Sequence, residues 1–238
     1  MHPAHALPPG KTAFAAGVSD HFVLGDERRA LDDARRRPPG SPEFSRRAEL
    51  GTLVALVEGP RLAPFVAARV GIAGKNEAGL SYAGSALRVD ARHAFEWGKN
   101  ALSVGVGLTA SGLAHDALDL PGTDLSRAHG FGVDLPVLYG YRSDAELIAV
   151  WAGLRASFDH WSAGVALDQQ GHFQLAARRI AAGPVLGLSV GLPPLRVGLE
   201  LAVDYADVTG SLDRGGAPSE AHVAGWSVRP AGALIAKF

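Results

Sequence analysis

Arg88, Asp90 and Arg92 recur at every second position of one stretch, and Arg196, Glu200 and Asp204 share one parity in another. A period of two places such residues on one face of an extended strand. Arg69, Arg155 and Arg229 fall on the polar faces of three further stretches. Guanidinium groups and carboxylates gathered on facing strands should neutralise one another, because an unpaired charge in a confined interior is costly. The pattern predicts a structural salt-bridge core. A narrow, arginine-lined passage favouring anions is the functional alternative.

Other chemistry is sparse, and the sequence assigns no catalytic residue, no metal site and no cofactor. There are 9 histidines and no cysteine, which removes thiolate metal sites and disulfides. Asp159-His160 and His115-Asp116 fall in polar connections, with Asp119, His129 and His172 also available, but no ligand spacing links them. No phosphate-binding glycine loop, nucleophile elbow or basic-aromatic surface is present. A net charge of −1 gives no bulk attraction to nucleic acid, so none is expected as a partner.

The elements that would position these residues are strands. In GPVLGLSVGLPPLRVGLELAVDYAD, from Gly183 to Asp207, Leu186, Leu188, Val190 and Leu192 alternate with glycine and serine. After Pro193-Pro194, Val197, Leu199, Leu201, Val203 and Tyr205 alternate with Arg196, Gly198, Glu200 and Asp204. This predicts a hairpin with one greasy and one polar face. Similar alternation predicts strands near 11–24, 66–72, 102–109, 131–141, 148–154 and 221–238. The stretch 78–97 changes phase and is read as one long strand with a bulge at Gly84-Ser85. The apolar run 50–57 is a strand or a buried helical turn, and 159–182 is the hardest region to assign. GDERRALDDARRRPPG predicts a short solvated loop helix that starts at Asp26 and ends at Pro38-Pro39-Gly40.

Short turns are expected near 58–61, 98–100, 142–144 and 193–194. They alternate with long connections near 25–48, 112–130, 159–180 and 209–219 and a short one near 74–77. That rhythm suits an antiparallel transmembrane β-barrel of about ten strands, with short turns on one side and long loops on the other. The count becomes about eight if Lys11–Val57 forms a plug or a periplasmic extension. Residues 1–10 are expected to be disordered and 11–238 to form one barrel domain. In the final strand, SVRPAGALIAKF, Trp226, Val228, Leu234, Ala236 and Phe238 share a face. A closing strand ending on an aromatic residue resembles the insertion signal of bacterial outer-membrane β-barrel proteins, although Pro230 and Gly232 depart from it.

That resemblance implies an all-β transmembrane barrel in the bacterial outer membrane, with membrane lipid and other envelope proteins as partners. Phe95, Trp97, Tyr139, Tyr141, Trp226 and Phe238 would then form interfacial girdles. The polar faces are mostly glycine, alanine and serine, which fits a crowded lumen better than a solvated outer surface. The first residues, MHPAHALPPG, have neither a basic nor an apolar segment of a leader. Export would need one that was removed upstream. The role expected is a structural scaffold, with an envelope-spanning complex as one setting for it, and not an enzyme. A small anion-leaning pore, a rim-site outer-membrane hydrolase and a soluble ligand-binding barrel are the alternatives. Omptin-type proteases and lipid A deacylases place Asp/His or Ser/His groups at the outer rim, but no stretch here matches either motif.

Overall fold

A computed structural model describes residues 3–36, 42–58, 62–112, 123–124, 128–144, 146–167, 171–192, 194–213 and 219–238. Its strands are β1 (Thr12–Asp20), β2 (Phe22–Val23), β3 (Leu62–Ile72), β4 (Asn76–Ala83), β5 (Ala86–Trp97), β6 (Asn100–Gly112), β7 (Thr123–Asp124), β8 (His129–Arg142), β9 (Ile148–Leu167), β10 (Gly171–Leu192), β11 (Leu195–Asp213) and β12 (Ser219–Lys237). Two helices, α1 (Gly25–Arg36) and α2 (Pro42–Glu58), lie between β2 and β3. Setting aside the two-residue β2 and β7, ten antiparallel strands pair in sequence. The first and last then pair with each other, from Ala13↔Lys237 to Ser19↔Ala231, and close the barrel.

The greasy face looks outward. Leu199 and Leu201 are 57 % and 41 % exposed, whereas Arg92 is 8 % exposed. An apolar side chain gains nothing from facing water, so a belt of exposed leucine, valine and aromatic rings around a closed sheet defines a lipid-facing wall. From Trp226 to Lys237 on β12, at ~3.3 Å per residue and ~40° tilt, the wall rises by roughly 28 Å, close to a bilayer's hydrocarbon thickness. Beyond that height the outer face turns polar. Arg178 Nε donates to Thr209 Oγ1 at 2.6 Å, and His222 Nε2 stands 3.0 Å from Asp207 Oδ2.

The barrel is lopsided. β9 to β12 have 20, 22, 19 and 19 residues, but β3, β4 and β5 only 11, 8 and 12. The β3–β4, β5–β6, β8–β9 and β10–β11 hairpins close at the end that carries Thr12 and Lys237, here the near end. The helices and the Gly84-Ser85 turn lie at the far end.

Several expectations are corrected. Gly84-Ser85 is not a bulge but a two-residue turn between β4 and β5, with Tyr82 opposite Leu87. A hairpin turn of that length inverts the chain and shifts the phase, as a bulge would. The run 50–57 belongs to α2, which ends at Glu58; the rest of the expected turn at 58–61 lies outside the described residues. The connection near 74–77 joins the near-end set. The count of ten strands holds because one strand too many at 50–57 offset one too few at 78–97. The stretch 159–182 is the upper part of the β9–β10 hairpin, with Asp159 opposite Arg179.

The helices fold inward. Leu53, Val54 and Leu56 of α2 are fully buried and pack with Leu31 of α1 against Trp161, Leu175, Val208 and Val223 on the inner face of the tall wall. α1 carries Asp26 and Glu27 in its first turn and Arg35 and Arg36 in its last, which suits the helix dipole. It is not solvated all round: Glu27, Leu31 and Ala34 are buried. Residues 3–8, expected to be disordered, run into the near end of the lumen, where Ala4, Ala6 and Leu7 are buried.

Candidate functional site in the barrel lumen

Alternation along the strands sends one parity inward, and that parity carries the charges. In the near half, Arg69 Nη1 donates to Glu77 Oε2 at 3.4 Å, and its Nη2 bonds Asp90. Arg88 grips Asp134 with a fork, Nε to Oδ1 at 2.7 Å and Nη2 to Oδ2 at 2.9 Å, and its Nη1 reaches Asp90. Arg92 Nε bonds Glu77, while its Nη1 and Nη2 donate to the carbonyls of Pro3 and His5, the latter at 3.0 Å. Bidentate, charge-assisted bonds of this kind are the strong ones. Room for them comes from glycine. A Cβ on Gly107 would sit 2.4 Å from both Arg88 Nη2 and Asp134 Oδ1, and one on Gly79 would sit 2.9 Å from Arg69 Nη2 and Asp90 Oδ2.

The N-terminal segment is tied to this layer by its backbone. Leu7 N–H donates to Glu77 Oε1 at 2.9 Å and Ala6 N–H to Glu96 Oε1 at 3.0 Å, while the His5 ring lies 3.1 Å from the Lys99 carbonyl. An irregular segment inside a lumen must satisfy its amides somewhere, and carboxylates on the wall supply the acceptors.

In the far half, Asp204 accepts from Arg155 Nη2 at 3.4 Å and from Arg229 Nε at 3.0 Å. Arg179, 3 % exposed, donates through Nε to Glu58 Oε1 of α2 at 2.9 Å and through Nη1 to Asp159 Oδ2 at 3.4 Å. The His21 ring follows Glu58, with Nδ1 2.9 Å from its carbonyl and Nε2 2.8 Å from Oε2. Burial opposes ionisation of Glu58, yet the Arg179 guanidinium and His21 hold its carboxyl down to about 2. Glu27 is different: both its oxygens are buried without a hydrogen-bond partner, as are Thr52 Oγ1, Ser227 Oγ and Arg179 Nη2. Burial, reinforced by Glu58, pushes the Glu27 carboxyl up to about 8.

The nine charged residues expected in the lumen all lie on inward-facing positions. Arg69, Arg88, Asp90 and Arg92 share the near network and Arg155, Asp204 and Arg229 the far one. Glu200 stands between, accepting from Trp151 Nε1 at 3.2 Å, and Arg196 lies apart at the near mouth. Reading by sequence missed Glu77, Asp134, Asp159, Arg179, Glu58, His21 and Glu27 as members. The paired parity of Asp159 and Arg179 was a usable signal, since Asp159↔Arg179 are cross-strand partners. The six aromatics expected at the interfaces, Phe95, Trp97, Tyr139, Tyr141, Trp226 and Phe238, are all exposed on the outer wall. Trp97 and Tyr139 rings lie 6.3 Å apart near one end, and Tyr205 and Trp226 lie 5.2 Å apart at greater height.

The Asp159-His160 pair splits across the wall. Asp159 points in to Arg179, and His160 packs its ring 5.3 Å from that of Phe131 on the outside. His115, Asp116 and Asp119 lie outside the described residues. Among the described residues no group of three or more histidine, aspartate or glutamate side chains is arranged to hold a metal ion.

A closed antiparallel sheet, an outward apolar belt and an inward charge network define a membrane-spanning β-barrel of the bacterial outer-membrane type. No protein-family model matches the chain, and no curated protein sequence does. Solved structures similar to it include Ail, the attachment invasion locus protein of Yersinia pestis, at 10 % identity and a TM-score of 0.38, over 97 % of this chain and 100 % of that one. The outer-membrane protease OmpT of Escherichia coli aligns at 7 % identity and 0.46, over 98 % of each chain. OprG of Pseudomonas aeruginosa aligns at 12 % and 0.40, over 98 % and 97 %.

Proposed function

We propose that the protein is an integral barrel of the bacterial outer membrane with a closed lumen, serving as a structural scaffold. Its polar far wall is offered to other envelope proteins. The observation that carries this reading is the filling of the lumen at three levels. Residues 3–8 occupy the near end, ion pairs cross the middle, and α1 and α2 are packed into the far end. A barrel of about this strand number has an interior that side chains alone nearly fill, and here two inserted segments are added. The tall wall formed by β9 to β12 supports the scaffold role, since its outer face above the apolar belt carries Arg178, Thr209, Asp207 and His222.

Planar-bilayer recording of the refolded chain tests closure: silent membranes are expected, and steady unitary conductance would refute it. A photo-cross-linking residue in place of Arg178, in cells, should yield discrete adducts with envelope proteins. A clean lane with only the uncross-linked chain would sink the scaffold role.

A further inference from the structure

The near mouth of the lumen holds a cavity of about 210 Å³ that the salt-bridge layer does not use. Lys11, Arg142, Arg196 and Lys237 line it, four basic side chains against one acidic side chain, Glu146. That carboxylate is shared: Arg142 Nη1 lies 2.9 Å from its Oε1 and Lys237 Nζ lies 3.9 Å from its Oε2. Neighbouring Glu77 is already engaged by Arg69, Arg92 and the Leu7 amide.

Arg196 is the decisive group. It is only 2 % exposed, and its Nη2 donates to the Ser189 carbonyl at 3.1 Å. Its Nε is buried without an acceptor. A buried guanidinium N–H left unpaired is unfavourable, and an anion entering the cavity would relieve it. Four cations face the single Glu146 carboxylate, an excess of three. A phosphate dianion balances more of that excess than a monocarboxylate does. The planar donors of arginine also match phosphate oxygens in geometry.

We propose that this vestibule binds a phosphate group, taken up from the near side of the membrane and held by Arg196 and Lys11. The group could be free phosphate or the headgroup of a phosphate-bearing lipid, and the test separates the two. The folded full-length chain in zwitterionic detergent is titrated by calorimetry with inorganic phosphate, at ionic strength fixed by sodium chloride. A second titration uses a short-chain phosphatidic acid. Saturable one-to-one binding of either ligand is expected, and the tighter of the two identifies the source. Arg196→Ala should weaken it by roughly tenfold or more, as loss of a charged hydrogen bond does. Lys11→Ala, at the exposed rim, should weaken it a few-fold, and Arg178→Ala on the outer wall should leave it unchanged. Should Arg196→Ala fail to fold, Arg196→Lys and Lys11→Ala carry the comparison. Absence of saturable binding of both ligands at millimolar concentration would overturn the proposal. So would equal affinity in the wild type and the vestibule variants.

Discussion

In the near half of the lumen Arg69, Arg88 and Arg92 meet Glu77, Asp90 and Asp134, and each guanidinium has at least two acceptors. In the far half Arg155, Arg179 and Arg229 meet Glu58, Asp159 and Asp204, and Glu27 is buried beside them with neither oxygen bonded. The near network is built mostly from the wall strands β3, β4, β5 and β8, and two of its pairs, Arg69 with Asp90 and Arg88 with Asp134, reach across an intervening strand at Gly79 and Gly107. The far one is closed by a helical insert, and its fit depends on how the insert packs. A fully satisfied buried network stiffens its surroundings, while a partly satisfied one is where a structure yields first. The far half is therefore the region expected to loosen, with apolar packing of α2 and not charge pairing as its main support.

Removing one partner from the near network should have the largest effect. Glu77→Gln leaves Arg92 buried without its counter-charge, and one amide oxygen must then serve Arg69, Arg92 and the Leu7 N–H. A loss of about 3–5 kcal/mol in unfolding free energy is expected, as for other broken buried pairs, measured by urea titration of the detergent-folded barrel. Protease access to residues 3–8 should rise in parallel. If Glu77→Gln unfolds like the wild type, the near half is not the rigid one.

Leu56→Ala should cost about 2–5 kcal/mol of helix docking through the cavity it leaves. Hydrogen exchange should show the loss in α1 and α2 while the wall strands stay protected. Equal loosening of β3 to β5 would erase the contrast between the halves.

A pH series sharpens the comparison further. Because the folded state holds the Glu27 proton more tightly, its contribution to helix docking is fully present below the unfolded value of 4.5 and is lost as pH rises through about 8. Glu58 runs the other way: its contribution is present above 4.5 and disappears as pH falls through about 2. Glu27→Gln should therefore protect α1 relative to the wild type at mildly alkaline pH and offer no advantage in acid. Hydrogen exchange of α1 at the two pH values reads this directly, and an advantage of equal size at both would exclude Glu27 ionisation as the cause. Smallest of all, Lys99→Ala removes an exposed pair with Asp144 and should leave the midpoint of the same urea titration unmoved.

The wall was readable because lipid outside and charge inside impose a period of two that few other environments sustain. Leu199, Leu201 and Arg92 went to the expected sides for that reason. Partners were harder to read. Glu77 sits at the start of β4, where the sequence suggests a turn, and its role depends on facing Arg92 across the β4–β5 ladder. The 159–182 stretch hid Asp159 and Arg179 because alanines fill both of its faces and blur the alternation. The run LGTLVALV in α2 has no periodicity that distinguishes a strand from a helix within a filled lumen. Glu58 became part of the site only through that helix, and Glu27 only through α1 packed beside it, which no spacing in the chain foretold.

The pairing of Ala13 with Lys237 joins residues from opposite ends of the chain. No form in which β12 is still untranslated or untranslocated can make that joint, so every earlier species carries two raw strand edges, one on β1 and one on whichever strand arrived last. Such edges are templates for illegitimate pairing with other chains. The protein should thus depend on escort until β12 arrives, and circular permutants that move the joint to the β9–β10 hairpin should assemble at a different rate while reaching the same end state.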